Sequence, residues 1–246
     1  MLYYKAWLES RARFLAGAGV LSAYCLTFIQ QARVSFPPVV EPALPYTAYV
    51  WRGVYDGPDL PVFVIVAAIL GLGGLERERE SGSHPFTLAL PVTRSQLLWP
   101  RIAIAMCELI TLAAIPLIVV PLASARIGHS YPVGHAARFA LLYAATGALW
   151  LSASVLASVA FTGMYTSIVA SIMTPGLCAA VFAGTALRHQ PSLNPFNVMN
   201  GSRLPYLDRA TDLIVGAMPW TTLMWLALIS SALLGAAAAV AYRRDF

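Results

Sequence analysis

Apolar runs separated by short polar stretches dominate this chain, and their lengths suit membrane spans. They fall at about residues 14–29, 60–75, 102–122, 137–161, 166–187 and 220–242. A bilayer core about 30 Å thick takes roughly 20 residues of helix. In lipid such a run must be helical or part of a closed barrel, because its backbone polar groups find no other partners. The pattern predicts an all-α polytopic membrane protein with six transmembrane helices and both termini on one side. The second run is the shortest. Its 16 residues rise only about 24 Å, so this helix crosses with little tilt or is lengthened by its flanks.

Ahead of the first run, MLYYKAWLESRARF sets Tyr4, Trp7, Leu8 and Arg11 at helical spacing, with Lys5, Glu9 and Arg13 along an i, i+4 row. This predicts an N-terminal amphipathic interfacial helix with Trp7 at head-group depth. A cleaved signal peptide is the competing reading. No A-x-A site follows the run, and Tyr24 in LSAYC is bulky where a lipoprotein site needs a small residue. Residues 30–59 read as a polar connection, in which Tyr46, Tyr49, Trp51 and Tyr55 alternate with Pro37, Pro38, Pro42, Pro45 and Pro58. Such a mixture suits a segment resting at an interface. Residues 188–219 form a second long connection. Thr93 and Gln96 make a capping box, so the third helix starts near Arg94, ahead of its apolar run, and bends near Pro100.

Small residues mark where helices approach closely. Gly176, Ala180 and Gly184 form one small-xxx-small row, and Ala153, Ser154, Ala157 and Ser158 form another strip. Gly71, Gly73 and Gly74 do the same at the end of the second span. Pro175 and Gly176 mark a kink or hinge in the fifth.

Composition agrees with the pattern. The chain is 59% hydrophobic and 11% charged, against about 25% charged for a soluble domain, and its mean hydropathy is +0.69. Its 246 residues suit a single membrane domain, 1–246. The net charge of +5 sits at helix ends rather than on one face. That distribution argues against nucleic acid as a partner and for anionic lipid head groups. Nine basic residues fall on the side of the termini and seven on the other. The bias sharpens once long loops are discounted, which predicts cytoplasmic termini in an inner or plasma membrane. Cys25, Cys107 and Cys178 lie within apolar runs without metal-site spacing and read as buried small hydrophobes.

Charge is concentrated at one place. Glu76, Arg77, Glu78, Arg79 and Glu80 are consecutive, and on a helix they pair locally at i, i+3. Ser81-Gly82-Ser83 ends that helix. His84-Pro85 suits the start of a new one, and Phe86 to Leu90 supplies about one and a half apolar turns before Pro91. This predicts a knob projecting from the membrane between spans two and three; the alternative is a solvated loop with charged ends. A metal site at Glu76, Glu78, Glu80 and His84 is disfavoured, because Arg77 and Arg79 neutralise the carboxylates and Gly82 breaks the helix. Glu108 is the one acid set well inside a predicted span. Intramembrane carboxylates are costly and often functional. About two turns past Arg101, it is also close enough to the boundary to be hydrated or paired.

The order of an apolar span, ERERE, SGS, a short apolar helix and LPVTR resembles the signature of ABC-2 type transporter permeases. The likeness extends to the N-terminal helix, the six-span layout, the long connection before span six and the tail YRRDF. Only residues 76–94 are motif-like, and there Ser83 stands where many members carry Thr. The resemblance implies the membrane subunit of an ATP-driven exporter. Its cytoplasmic coupling helix would meet a separate ABC ATP-binding subunit through Glu76, Arg77, Glu78, Arg79, Glu80, Ser81, Gly82, Ser83, His84, Pro85, Phe86, Leu90, Pro91 and Arg94. It also implies a second permease copy or paralogue. The chain has no G-x-x-x-x-G-K-[ST], so ATP and Mg would be bound by the partner, and this chain is expected to hold no cofactor and to be no enzyme. Greasy spans with few inward polar residues favour a lipid-like or amphipathic substrate. The alternative function is a membrane-embedded enzyme or a non-transporting scaffold, which Glu108 and the two long connections would serve.

Overall fold

The computed structural model describes residues 2–35, 45–72, 94–161, 164–184, 193–202, 207–208, 212–214 and 216–243. Nearly all of them are helical; the strand content is one isolated bridge, Leu207 to Ile214. In chain order the helices are α1 (Leu2–Ser35), α2 (Tyr46–Val50), α3 (Asp59–Gly71), α4 (Arg94–Arg126), α5 (Val133–Ala160), α6 (Met164–Gly184), α7 (Pro195–Asn200) and α8 (Trp220–Arg243). Six helical segments are long and apolar enough to cross a membrane: α1, α2 with α3, α4, α5, α6 and α8.

Three boundaries differ from the sequence reading. First, α1 runs unbroken through the segment expected to lie flat. Its 34 residues rise about 51 Å, more than the roughly 30 Å a bilayer core needs. The amphipathic turns are therefore the first part of one long helix. Second, the described residues of the connection predicted at 30–59 are largely helical. α1 reaches Ser35, and α2 continues as a π-helical turn over Trp51–Tyr55. A break at Asp56–Gly57–Pro58 then leads into α3, so the second span runs from Tyr46 to Gly71. Three prolines among the described residues permit this because each stands at a helix start: Pro45 precedes α2, Pro58 precedes α3, and Pro61 lies in α3's first turn, where no intrahelical donor is needed. Pro37, Pro38 and Pro42 lie outside the described residues. Third, α5 begins at Val133, directly after Pro132, rather than at 137. α4 is described from Arg94 onward, and α8 covers the expected sixth span.

α5 is the central helix, packed against α3, α4, α6, α7 and α8, while α1 lies along α4 and α3. Phe63, Leu109, Leu112, Leu142 and Leu151 are fully buried between them. One of the small-residue strips works inside the chain. Gly71 meets α5 so closely that a Cβ there would lie 2.5 Å from the Leu151 carbonyl oxygen and 2.7 Å from Ser154 Cβ. A Cβ at Gly176 or Gly184 on α6 would meet no neighbouring atom of the described residues within 4 Å. Backbone cannot yield as a side chain can, so Gly71→Ala is expected to cost about 1–3 kcal/mol, read as a lower midpoint in thermal unfolding. Gly176→Ala should leave that midpoint unchanged.

Successive spans alternate in direction. Glu9, Arg13, Leu72 and Arg101 meet at one end of the bundle. Tyr46 with Ser124, and Trp51 with Asn200, meet at the other.

Candidate functional site

Glu9, Ser10 and Arg13 fall on one face of α1, at spacings that a helix places together. Each reaches a neighbouring helix. Arg101 Nη2 of α4 approaches Glu9 Oε2 at 3.2 Å, and Lys5 Nζ approaches the other oxygen at 3.9 Å. The Ser10 hydroxyl donates to Glu108 Oε1 at 2.5 Å. The Arg13 guanidinium donates to the Ile69 carbonyl at 3.3 Å and to the Leu72 carbonyl. Ile69 lies in the last turn of α3 and Leu72 is its C-cap, at the helix end where a cation is favoured. Arg13 also lies within electrostatic reach of Glu108.

Glu108 is thus paired, and it is buried. Its Oε2 has no hydrogen-bond partner among the described residues. One face of α1 therefore holds both helices that flank residues 73–93: the end of α3 through Arg13, and the N-terminal half of α4 through Glu9 to Arg101 and Ser10 to Glu108. The expected coupling residues Glu76 to Pro91 lie outside the described residues, and Arg94 appears only as the first residue of α4. Pro175 and Gly176 sit midway along α6, half-buried and exposed, and the structure does not bring them to this cluster.

A second polar centre, which the sequence reading passed over, surrounds the π-helical turn. Tyr24 of α1 donates to the Gly53 carbonyl at 2.9 Å, and Tyr143 of α5 donates to the Tyr55 carbonyl at 3.2 Å. Trp51 Nε1 donates to the Asn200 carbonyl at 2.8 Å, and Asn200 Nδ2 donates to Asp56 Oδ1 at 2.5 Å. Tyr55 is stacked on Phe139 with centroids 4.1 Å apart, and Tyr143 stands edge-on to it at 6.1 Å. Nearby, His135 Nδ1 accepts from the Ile214 N–H at 3.2 Å while Arg138 donates to the Ile214 carbonyl at 2.6 Å. Arg52 pairs with Asp212 at 3.7 Å. Burial pushes the Asp212 carboxyl above the usual carboxylate range, and the Arg52 guanidinium partly offsets this. The signal for this centre was VYDGPDLP, two acids flanking Gly-Pro at the edge of an apolar run.

Among the described residues no group of three or more His, Cys, Asp or Glu is placed to hold a metal ion. Glu9, Ser10, Arg13, Arg101 and Glu108 form a polar cluster joining α1 to α3 and α4, built of charge-assisted contacts that are stronger and more directional than neutral ones. No family model matches the chain, and no curated protein sequence matches it.

Proposed function

We propose that the chain is the membrane-spanning subunit of an ABC-2 type exporter, coupled through residues 76–94 to a separate ATP-binding subunit. The observation that carries this reading is the grip of α1 on both flanks of that segment. A push on residues 73–93 would reach α3 through Arg13 and α4 through Glu9 and Ser10, so three spans would move together.

ATP and Mg would be held by the partner subunit, because the chain has no phosphate-cradling loop. The basic residues near the termini and around residues 77–101 would place that end of the bundle in the cytoplasm of a cell inner or plasma membrane. A second permease copy or paralogue would complete the pathway, and the apolar spans favour a lipid-like or amphipathic cargo.

The test is co-purification with an ATP-binding subunit encoded beside this chain. The wild-type pair should survive gel filtration, and reversal of Glu78 and Glu80 to Lys should separate it. A complex that survives the reversal intact would show that the subunit docks elsewhere. ATPase stimulation by lipids, and not by small hydrophilic solutes, is the expected sign of the cargo class.

A further inference from the structure

Asp59 sits at the break in the second span and is 1% exposed. Its Oδ1 has no hydrogen-bond partner among the described residues, and its Oδ2 has only the Cys25 thiol at 3.9 Å. A thiol is a weak donor. The first turn of α3 offers little more. The Leu60 and Val62 N–H groups already donate to the Gly57 and Pro58 carbonyls, and Pro61 has no N–H. The titratable groups that interact with it are Cys25 and Tyr24 from α1 and Tyr143 from α5, with Asp56 three residues earlier in the break. None is basic, and among the described residues no Lys, Arg or His forms an ion pair with Asp59.

A carboxylate within an apolar bundle needs a countercharge. No side chain among the described residues supplies one, which leaves an ion from solution as the candidate. Tyr24 and Tyr143, both within electrostatic reach of Asp59, connect it to a group of hard oxygens. The carbonyls of Gly53, Val54 and Tyr55 end the π turn next to the break, and Tyr24 and Tyr143 bring hydroxyls to them. A carbonyl has two lone pairs, so accepting one hydroxyl leaves it able to bind further. Interrupted backbone in membrane helices supplies cation ligands in just this way, and oxygen ligands without thiolate or imidazole suit hard cations.

We propose that Asp59 is a binding site for a small monovalent cation, a proton or a sodium ion, held where the second span is broken. The cation neutralises the carboxylate and ties α1, the π turn, α3 and α5 together at one point. The site lies in the half of the bundle away from the Arg13 linkage, and it stands whether or not an ATP-binding subunit docks on residues 76–94.

Purified full-length protein in lipid nanodiscs is sufficient for the test. Thermal midpoints are measured in sodium and in choline chloride at equal ionic strength, and infrared spectra are scanned for the C=O stretch of a protonated carboxyl. If sodium is the occupant, the wild-type midpoint rises with sodium and not with choline, and Asp59→Asn abolishes the rise. If a proton is the occupant, the midpoint ignores sodium, and the wild type shows a protonated-carboxyl band that Asp59→Asn removes. Should Asp59→Asn fail to fold, Cys25→Ala takes its place. Loss of the thiol contact must then shift the protonated-carboxyl band or change the sodium dependence. A wild type with neither sodium dependence nor a protonated-carboxyl band overturns the proposal. So does a band or a dependence that both variants leave untouched.

Discussion

Replacement of Tyr55 by alanine is expected to lower the stability of the bundle by roughly 3 kcal/mol, the low end of the range for removing a buried aromatic ring. The ring is fully buried and meets three other rings at once, with Phe139 stacked at 4.1 Å, Tyr143 edge-on at 6.1 Å and Tyr131 at 6.4 Å. In a bilayer the transfer part of the loss shrinks, because lipid tails are as apolar as the core. The cavity and the lost ring contacts remain. The measurement is the unfolding midpoint in mixed micelles. Tyr55→Phe keeps the ring and should cost less than about 1.5 kcal/mol. Tyr242→Ala, at a position 85% exposed, should change nothing. A Tyr55→Ala protein as stable as the wild type would mean that the π turn is not a packing centre.

Tyr55 also shows what the sequence did and did not disclose. The six spans were legible because an apolar run of about 20 residues has one solution in lipid. The capping box at Thr93 and Gln96 lies at the edge of the described residues, which resume with Arg94 already in α4. Tyr46 to Tyr55 misled for a physical reason: aromatic rings interleaved with prolines describe an interfacial segment as well as they describe the start of a helix. What decides is that Pro45, Pro58 and Pro61 each fall where no backbone donor is required, and that depends on where the helices begin. Asp59 was hidden by position, since an acid just before an apolar run reads as the end of a loop. Only its burial beside Cys25 and Tyr143 marks it as costly. At the other end of the bundle, Glu108 was visible as an acid within a span. Ser10 was not, because a serine near the start of the chain carries no signal until α1 packs along α4.

Arg13→Glu is expected to disconnect the two halves of the proposed coupling apparatus while leaving the ATP-binding subunit bound. The guanidinium now meets two carbonyls at the end of α3, those of Ile69 and Leu72. A carboxylate there offers acceptors to acceptors and adds negative charge to the negative end of a helix. The lost contacts are worth about 1.5–3 kcal/mol, the range for hydrogen bonds to a charged group. Ser10→Ala is the milder companion: it removes the 2.5 Å bond to Glu108 and leaves a buried carboxylate oxygen without that donor. Glu108→Gln should behave close to wild type, because the amide oxygen still accepts from Ser10. The readouts are transport into vesicles, ATP hydrolysis and retention of the ATP-binding subunit on affinity beads. Transport should fall at least tenfold in Arg13→Glu with retention unchanged and hydrolysis no longer responsive to cargo. Retention falling in step with transport would give a different answer: α1 would then be part of the docking surface itself, and the path from residues 73–93 into the membrane would have to run through α3 and α4 alone.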